Sequence, residues 1–136
     1  MDKKKILVVD DEEKVCQMIK SNLEKTGQYE VATETQGSKA LETAVAFRPH
    51  LIFMDIMMPD LGGCEAAAAI KKHEKIGKTP IVFVTALAGK KDHEVFGGLV
   101  DGAPFIAKPI IAKPAKTKDL VKCIEEQLKP KEDSAS

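Results

Sequence analysis

Ile6-Leu7-Val8-Val9-Asp10-Asp11 is an unbroken apolar run that stops abruptly at two carboxylates. A short run with no polar alternation reads as a strand buried on both faces, the mark of a parallel sheet covered by helices. Leu51-Ile52-Phe53-Met54 and Ile81-Val82-Phe83-Val84 repeat the pattern, and Ala103 to Ala107 is a fourth such run. Tyr29-Glu30-Val31-Ala32-Thr33 alternates and suits an edge strand. Helical patterns fill the intervals. Val15, Met18, Ile19 and Leu23 share one face, and Gly27 follows as a C-terminal cap. Ser38 caps a helix carrying Leu41, Ala44 and Val45, which stops near Arg48-Pro49. Glu65 to Lys75 contains four consecutive alanines, strong helix formers that let a helix lie close to the sheet. Glu94 to Val100 is a poorer helix, weakened by Gly97 and Gly98. Thr117 caps a last helix with Leu120, Val121, Ile124 and Leu128 inward, ended by Pro130. Strand and helix alternate five times, which predicts an α/β fold with a parallel sheet and right-handed crossovers.

Size and composition narrow the possibilities. A chain of 136 residues, 43% hydrophobic and 31% charged, suits one ordinary globular domain. The domain is expected over residues 4–129, with 130–136 a disordered tail. Twenty-one Lys and Arg balance 21 Asp and Glu, so no global field recruits nucleic acid or membrane. Arg48 is the single arginine and Trp is absent, which argues further against a base-stacking or phosphate-clamping surface. Cys16, Cys64 and Cys123 are odd in number and far apart, with no zinc-ligand spacing, and read as reduced thiols. Ile6 to Val9 is too short for a signal peptide and no run approaches a membrane span, so a soluble cytoplasmic protein is expected. His50, His73 and His93 read as surface or boundary residues.

In open α/β sheets, chemistry gathers at the carboxyl ends of the strands. Those ends carry Asp10-Asp11, then Asp55, then Thr85, then Lys108. Each alone has a plain reading: a helix start favoured by its dipole, a turn residue before Met58-Pro59, an N-cap, a surface charge. Their joint placement at successive strand ends is what points to a site. Crowded carboxylates repel one another unless a cation joins them, and hard oxygen donors at a water-facing edge suit Mg²⁺. A carboxylate such as Asp55 can then act as nucleophile toward a phosphoryl group, with the metal, Lys108 and Thr85 each meeting a different phosphoryl oxygen.

Ile6 to Glu12, Met54-Asp55-Ile56-Met57-Met58-Pro59-Asp60-Leu61-Gly62-Gly63, Val84-Thr85-Ala86 and Lys108-Pro109 together resemble the receiver domain of two-component response regulators, of the stand-alone, chemotaxis-regulator-like type. The resemblance covers about residues 4–129. It implies a doubly wound, flavodoxin-like sheet of five strands in the order 2-1-3-4-5 with five helices, and phosphotransfer to Asp55 from a phosphohistidine of a sensor histidine kinase or histidine phosphotransfer protein. By the same resemblance, Asp10, Asp11, Asp55 and the backbone carbonyl of Met57 hold Mg²⁺, Thr85 is the switch hydroxyl, Lys108 is the family's lysine, and Phe105 is the aromatic switch residue. The resemblance also implies that the positions two past Asp55 and two past Thr85 flank the path of an attacking water; here they are Met57 and Leu87, both apolar. One departure concerns the lysine, since Ala107-Lys108-Pro109 is echoed by Ala112-Lys113-Pro114. Lys108 is preferred because it follows Phe105-Ile106-Ala107 as a strand end should deliver it.

Other functions fit less well. An aspartyl-phosphate phosphatase usually places a second Asp two residues after its nucleophile, where this chain has Met57, so no substrate turnover is expected. A flavin-binding protein needs a Ser/Thr/Gly-rich phosphate loop after the first strand, where this chain has Asp10 to Glu13. A phosphorylation-independent interaction module would have no need of the acidic pair, Asp55, Thr85 and Lys108 together. With about seven residues left after the last helix, output is expected through docking or onward phosphotransfer, with no transcriptional domain.

Overall fold

A computed structural model of the chain describes residues 3–56, 58–59, 61–85, 99–100, 103–104, 110–112 and 115–128. The elements run β1 (Lys4–Val9), α1 (Glu13–Glu24), β2 (Tyr29–Glu34), a 3₁₀ turn (Gly37–Lys39), α2 (Ala40–Phe47), β3 (Leu51–Met54), α3 (Gly63–Lys72), β4 (Ile81–Thr85), β5 (Leu99–Val100), β6 (Ala103–Pro104), β7 (Ile110–Ala112) and α4 (Thr117–Leu128). The parallel sheet has the strand order β2-β1-β3-β4-β7, and β5 and β6 form a separate antiparallel pair. The fold is the flavodoxin-like α/β architecture expected from the sequence.

Unbroken apolar strands are explained by burial on both sides. Leu7, Val9, Ile52, Met54 and Phe83 pack with Ala44, Ala66, Ala67 and Ile70 of α2 and α3. Their neighbours Ile6, Val8, Leu51, Phe53, Val82 and Val84 point the other way, against Ile19 and Leu23 of α1 and Leu120 and Ile124 of α4. Alternation along each strand thus sorts one apolar run into two cores.

Several elements depart from their sequence readings. In α1 the buried stripe is Cys16, Ile19 and Leu23, while Met18 is 44% exposed. Small buried Cys16 lets the helix sit close beneath β1, so the stripe rotates by part of a turn from the one Met18 would define. The second helix begins at Ala40 with Ser38 inside the preceding 3₁₀ turn and not at its cap. The same helix ends as expected at Arg48, which adopts a left-handed backbone with φ of 55° ahead of Pro49. Gly27, with φ of 79°, closes the turn after α1 as its sequence position implies. The third helix spans Gly63–Lys72, starting earlier and ending earlier than expected.

The larger correction lies at the far edge. The strand beside β4 is Ile110–Ala112, paired Phe83 to Ile110, Val84 to Ile111 and Thr85 to Ala112. At the start of the strand expected from Ala103 to Ala107, Ala103 and Pro104 pair antiparallel with Val100 and Leu99, and residues 105–107 lie outside the described residues. Because Pro104 has no N–H to give a ladder, an antiparallel end position tolerates it better than a sheet strand would. Leu99 and Val100 are therefore strand, which shortens the helix expected over Glu94 to Val100; the rest of that segment and the tail 130–136 lie outside the described residues. Among the described residues there are four α-helices.

At the amino ends of the strands, β1 and β3 are locked by a reciprocal pair. The His50 N–H donates to the Lys5 carbonyl at 2.7 Å, and the Lys5 N–H donates to His50 Nδ1 at 2.9 Å. Lys5 Nζ also reaches the Phe47 carbonyl at 3.1 Å and lies 5.0 Å from that ring's centre. An accepting Nδ1 requires a neutral imidazole, and partial burial, with Lys4 and Lys5 alongside, holds the His50 pKa below its ordinary 6.5. The folded chain therefore binds this proton less readily than the unfolded one. The contribution is complete above pH 6.5 and is lost as pH falls through the lowered folded value. We expect the wild-type melting temperature to fall between about pH 7.5 and about pH 5.5 by more than that of His50→Asn, whose amide oxygen accepts without titrating. Identical pH profiles in parallel thermal melts would remove His50 from this lock.

Candidate metal and phosphoacceptor site

The register of β1 and β3 builds the site. Val9 pairs with Met54, so Asp10 and Asp55 are the next residue on each of two neighbouring strands. The Asp55 N–H donates to the Val9 carbonyl at 2.8 Å and extends the ladder by one rung. Both side chains are buried, Asp10 being 2% and Asp55 5% exposed, while Asp11 is exposed. One carboxylate oxygen from each of Asp10, Asp11 and Asp55 lies within 4.8 Å of the others. Two desolvated carboxylates and a third beside them form a hard, all-oxygen donor set, which fits Mg²⁺.

Backbone donors hold Asp10 in place. Its N–H donates to the Glu34 carbonyl at 3.0 Å, its Oδ1 accepts the Glu12 N–H at 2.9 Å, and its carbonyl accepts the Cys16 thiol at 3.3 Å. The acidic pair precedes α1, whose first turn adds Glu13, so the positive end of the helix dipole offsets part of the crowding. Glu34 contributes backbone to the site and turns its side chain away, accepting Thr43 Oγ1 at 2.6 Å and the Gln36 N–H at 3.1 Å.

Two glycines allow the loop after Asp55 to fold back tightly. A Cβ on Gly63 would overlap the Asp55 carbonyl oxygen, and one on Gly37 would overlap the Leu61 carbonyl oxygen. The Gly63 N–H donates to the Ile56 carbonyl at 2.9 Å, which starts α3 directly beside the strand that carries Asp55. Ile56 and Met58 are buried beneath the turn.

Of the residues singled out from sequence, Asp10, Asp11 and Asp55 are brought together. Thr85 ends β4 one step beyond the level of Asp55, since Met54 pairs with Phe83. Met57, Leu87, Phe105 and Lys108 lie outside the described residues. Lys108 and Lys113 both lie outside the described residues, and they flank the described strand in the chain. Lys108 comes before Ile110–Ala112 in the chain, and the residue that follows that strand's carboxyl end is Lys113. Sequence reasoning also missed Gly63, Cys16 and Glu34. Glu34 was within reach of the strand-end rule, whereas the Cys16 and Gly63 contacts depend on how closely α1 and α3 approach the sheet.

With this geometry in place, the comparisons with known proteins decide the family. The profile of the response regulator receiver domain matches residues 6–125. The chain belongs to that family. This receiver domain is 34% identical over 109 residues to the polar-differentiation response regulator DivK of Brucella anthropi, covering 79% of the chain and 85% of DivK. It is 38% identical over 109 residues to the alkaline phosphatase synthesis transcriptional regulatory protein PhoP of Bacillus subtilis, covering 78% of the chain and 42% of PhoP. The chain thus spans less than half the length of that longer relative. Among solved structures it is similar to the receiver domain of the sensor histidine kinase PA1611 from Pseudomonas aeruginosa PAO1, with a TM-score of 0.76 and 28% identity over 92% of the chain and 97% of that domain. That structure has a magnesium ion coordinated in its active-site cleft.

The close approach at Gly63 carries a direct consequence. Gly63→Ala should cost about 1–3 kcal/mol, the range for forcing a methyl into packed structure, because backbone must move on both sides. Gly62→Ala should cost much less, since its added Cβ would meet chiefly the movable Glu65 side chain at 3.1 Å. Urea titration of the two variants checks this, and equal losses would show that the Asp55 turn is not held this way.

Proposed function

We propose that this receiver domain accepts a phosphoryl group on Asp55 from a phosphohistidine and passes the signal on by altering a docking surface. The observation that carries the proposal is the gathering of Asp10, Asp11 and Asp55 at adjoining strand ends, two of them buried, in a chain of this family. Asp10, Asp11, Asp55 and the Met57 carbonyl would hold Mg²⁺, which when bound neutralises carboxylate charge that otherwise opposes an incoming phosphoryl group. In the transfer, an Asp55 carboxylate oxygen forms the new P–O bond as the donor's P–N bond breaks. The imidazole keeps the electron pair and takes a proton from solvent. Pairing of the Asp55 N–H with the Val9 carbonyl holds the nucleophile's backbone still during attack.

Lys108 supplies the cation for a phosphoryl oxygen, and Thr85, at the end of β4, supplies the hydroxyl. The partners are a sensor histidine kinase or histidine phosphotransfer protein upstream and a protein target downstream, in the cytoplasm; no helix among the described residues is long and apolar enough to cross a membrane. The chain is a regulator and not a turnover enzyme, since its site offers Met57 where a phosphatase would carry a general acid.

Acetyl phosphate with Mg²⁺ should add one phosphoryl group to the wild type by intact mass, and Asp55→Asn should take up none. Uptake by Asp55→Asn at the wild-type rate would end the proposal. Mg²⁺ alone should raise the wild-type melting temperature by a few degrees and that of Asp10→Asn by much less.

Loss of the label should be slow. In-line water must be oriented near phosphorus, and the flanking Met57 and Leu87 offer no polar anchor. The phosphoprotein, freed of donor in Mg²⁺ buffer, should decay over minutes to hours, and Met57→Asn with Leu87→Glu should speed decay by about tenfold, below the usual gain from general acid–base assistance. Decay of the wild type within seconds would contradict this.

A further inference from the structure

Glu34 ends β2 with its side chain on the side of the sheet that carries α2. Its register partner is Val9, and Val9 and Ala32 pack on that side with Ala40 and Ala44. A half-buried carboxylate there needs donors, since charge removed from water without hydrogen bonds is unfavourable. Two donors come from different elements. Thr43 Oγ1, on α2, donates to Glu34 Oε1 at 2.6 Å, and the Gln36 N–H donates to Oε2 at 3.1 Å. One side chain thus ties the strand to the helix and to the chain between them.

The segment held in this way closes over the loop after Asp55. Gln36 leads into the 3₁₀ turn Gly37–Lys39, and the Lys39 N–H donates back to the Gln36 carbonyl at 3.0 Å. Gly37 is buried; a Cβ on it would overlap the Leu61 carbonyl oxygen and lie 3.1 Å from Met58 Cε. Met58 and Leu61 belong to the stretch between Asp55 and α3, whose far end is pinned where the Gly63 N–H donates to the Ile56 carbonyl at 2.9 Å. Backbone meets backbone between Gly37 and Leu61, so a displaced turn moves the loop itself. Glu34 also gives its own carbonyl to the Asp10 N–H at 3.0 Å. A single residue therefore contacts Asp10 directly and the loop after Asp55 through one turn.

We propose that Glu34 is a positioning residue for the site at Asp55. Its carboxylate clamps the connection between β2 and α2, and that connection, through Gly37, fixes the seat of Met58 and Leu61. The effect on chemistry rests on the function proposed above; the clamp itself does not. With the clamp open, fewer molecules hold a formed site, and phosphoryl uptake slows in proportion. Charge alone gives the opposite sign. Glu34 adds a carboxylate to an already acidic end of the sheet, so its removal would ease the approach of an anionic phosphoryl donor.

Thr43→Val breaks the clamp without changing charge, Thr43→Ser keeps the hydroxyl, and Glu34→Ala removes both accepting oxygens. Thr26→Ala, which deletes the hydroxyl that donates to the Leu23 carbonyl at 2.7 Å beyond the end of α1, controls for lost stability alone. Amide hydrogen exchange by NMR, without Mg²⁺ or phosphoryl donor, reads the seat of the loop at the Gly63 N–H. That exchange should quicken about threefold in Thr43→Val and Glu34→Ala, the order expected of one hydrogen bond, and stay near wild type in Thr43→Ser and Thr26→Ala. Glu34→Ala with Thr43→Val should be no faster than Glu34→Ala, because both changes open one tie. Labelling by acetyl phosphate at saturating Mg²⁺ should slow about threefold in Thr43→Val and Glu34→Ala and recover in Thr43→Ser. Unchanged Gly63 exchange, or equal acceleration by Thr26→Ala, would overturn the clamp. Faster Gly63 exchange with labelling unchanged or quicker would overturn the positioning role. The exchange measurement involves no phosphorylation, so its failure leaves Asp55 as phosphoacceptor untouched, and undiminished labelling of Asp55→Asn leaves the clamp to be judged by exchange.

Discussion

The hydrogen bond from the Asp55 N–H to the Val9 carbonyl is the constraint on which the rest of the site depends. It is the last rung of the β1–β3 ladder, and it fixes two acidic residues as side-by-side neighbours beyond a dry strand pair. A slip of one residue would turn one carboxylate to the opposite face. The slip is prevented by two cores at once, because Leu7 with Ile52 and Val8 with Phe53 must each keep to their own side. Burial of ordinary apolar side chains thus positions a charged cluster that is itself unfavourable in the absence of a cation.

Around this pair the structure trades side-chain volume for backbone proximity. Gly63 lets α3 start against the Asp55 carbonyl, and Gly37 lets the turn before α2 rest on the Leu61 carbonyl. Ala66 and Ala67 continue the close approach along α3. On the opposite face, small Cys16 brings the start of α1 within thiol reach of the Asp10 carbonyl. The acidic residues are therefore held by backbone from β1, β2, β3 and the first turn of α1, and very little of their placement is left to flexible side chains.

The two edges of the sheet are treated differently. At β2, helix α1 closes the edge: Lys20 donates to the Val31 carbonyl at 2.7 Å, and Glu24 accepts the Val31 N–H at 3.1 Å. Chiefly that N–H, with Lys20 assisting against partial burial, holds the Glu24 carboxyl below its ordinary pKa. An edge strand with its central N–H and C=O occupied is poorly disposed to pair with another chain. At β7 the edge is a short strand, Ile110–Ala112, paired with β4.

Much of this protein was legible before any coordinates. Ile6-Leu7-Val8-Val9 and its counterparts at 51–54 and 81–84 announced a doubly covered parallel sheet, because only strands buried on both faces are apolar at every position. The strand-end rule then selected Asp10, Asp11 and Asp55, since a strand's exit point is a local property of its sequence. The edge strand was a different matter. Phe105-Ile106-Ala107 and Ile110-Ile111-Ala112 are nearly the same in sequence, so local strand preference does not distinguish them. Ile110–Ala112 is the segment that pairs with Phe83 to Thr85, while Ala103–Pro104 pairs with Leu99–Val100. The rotation of α1 that buries Cys16 in place of Met18 is likewise decided between elements, by how near the helix lies to the sheet. Local sequence determined which residues form strands and which charges end them; long-range packing alone determined that Ile110–Ala112 pairs with β4 and that α1 buries Cys16 and not Met18, because both depend on how neighbouring elements meet.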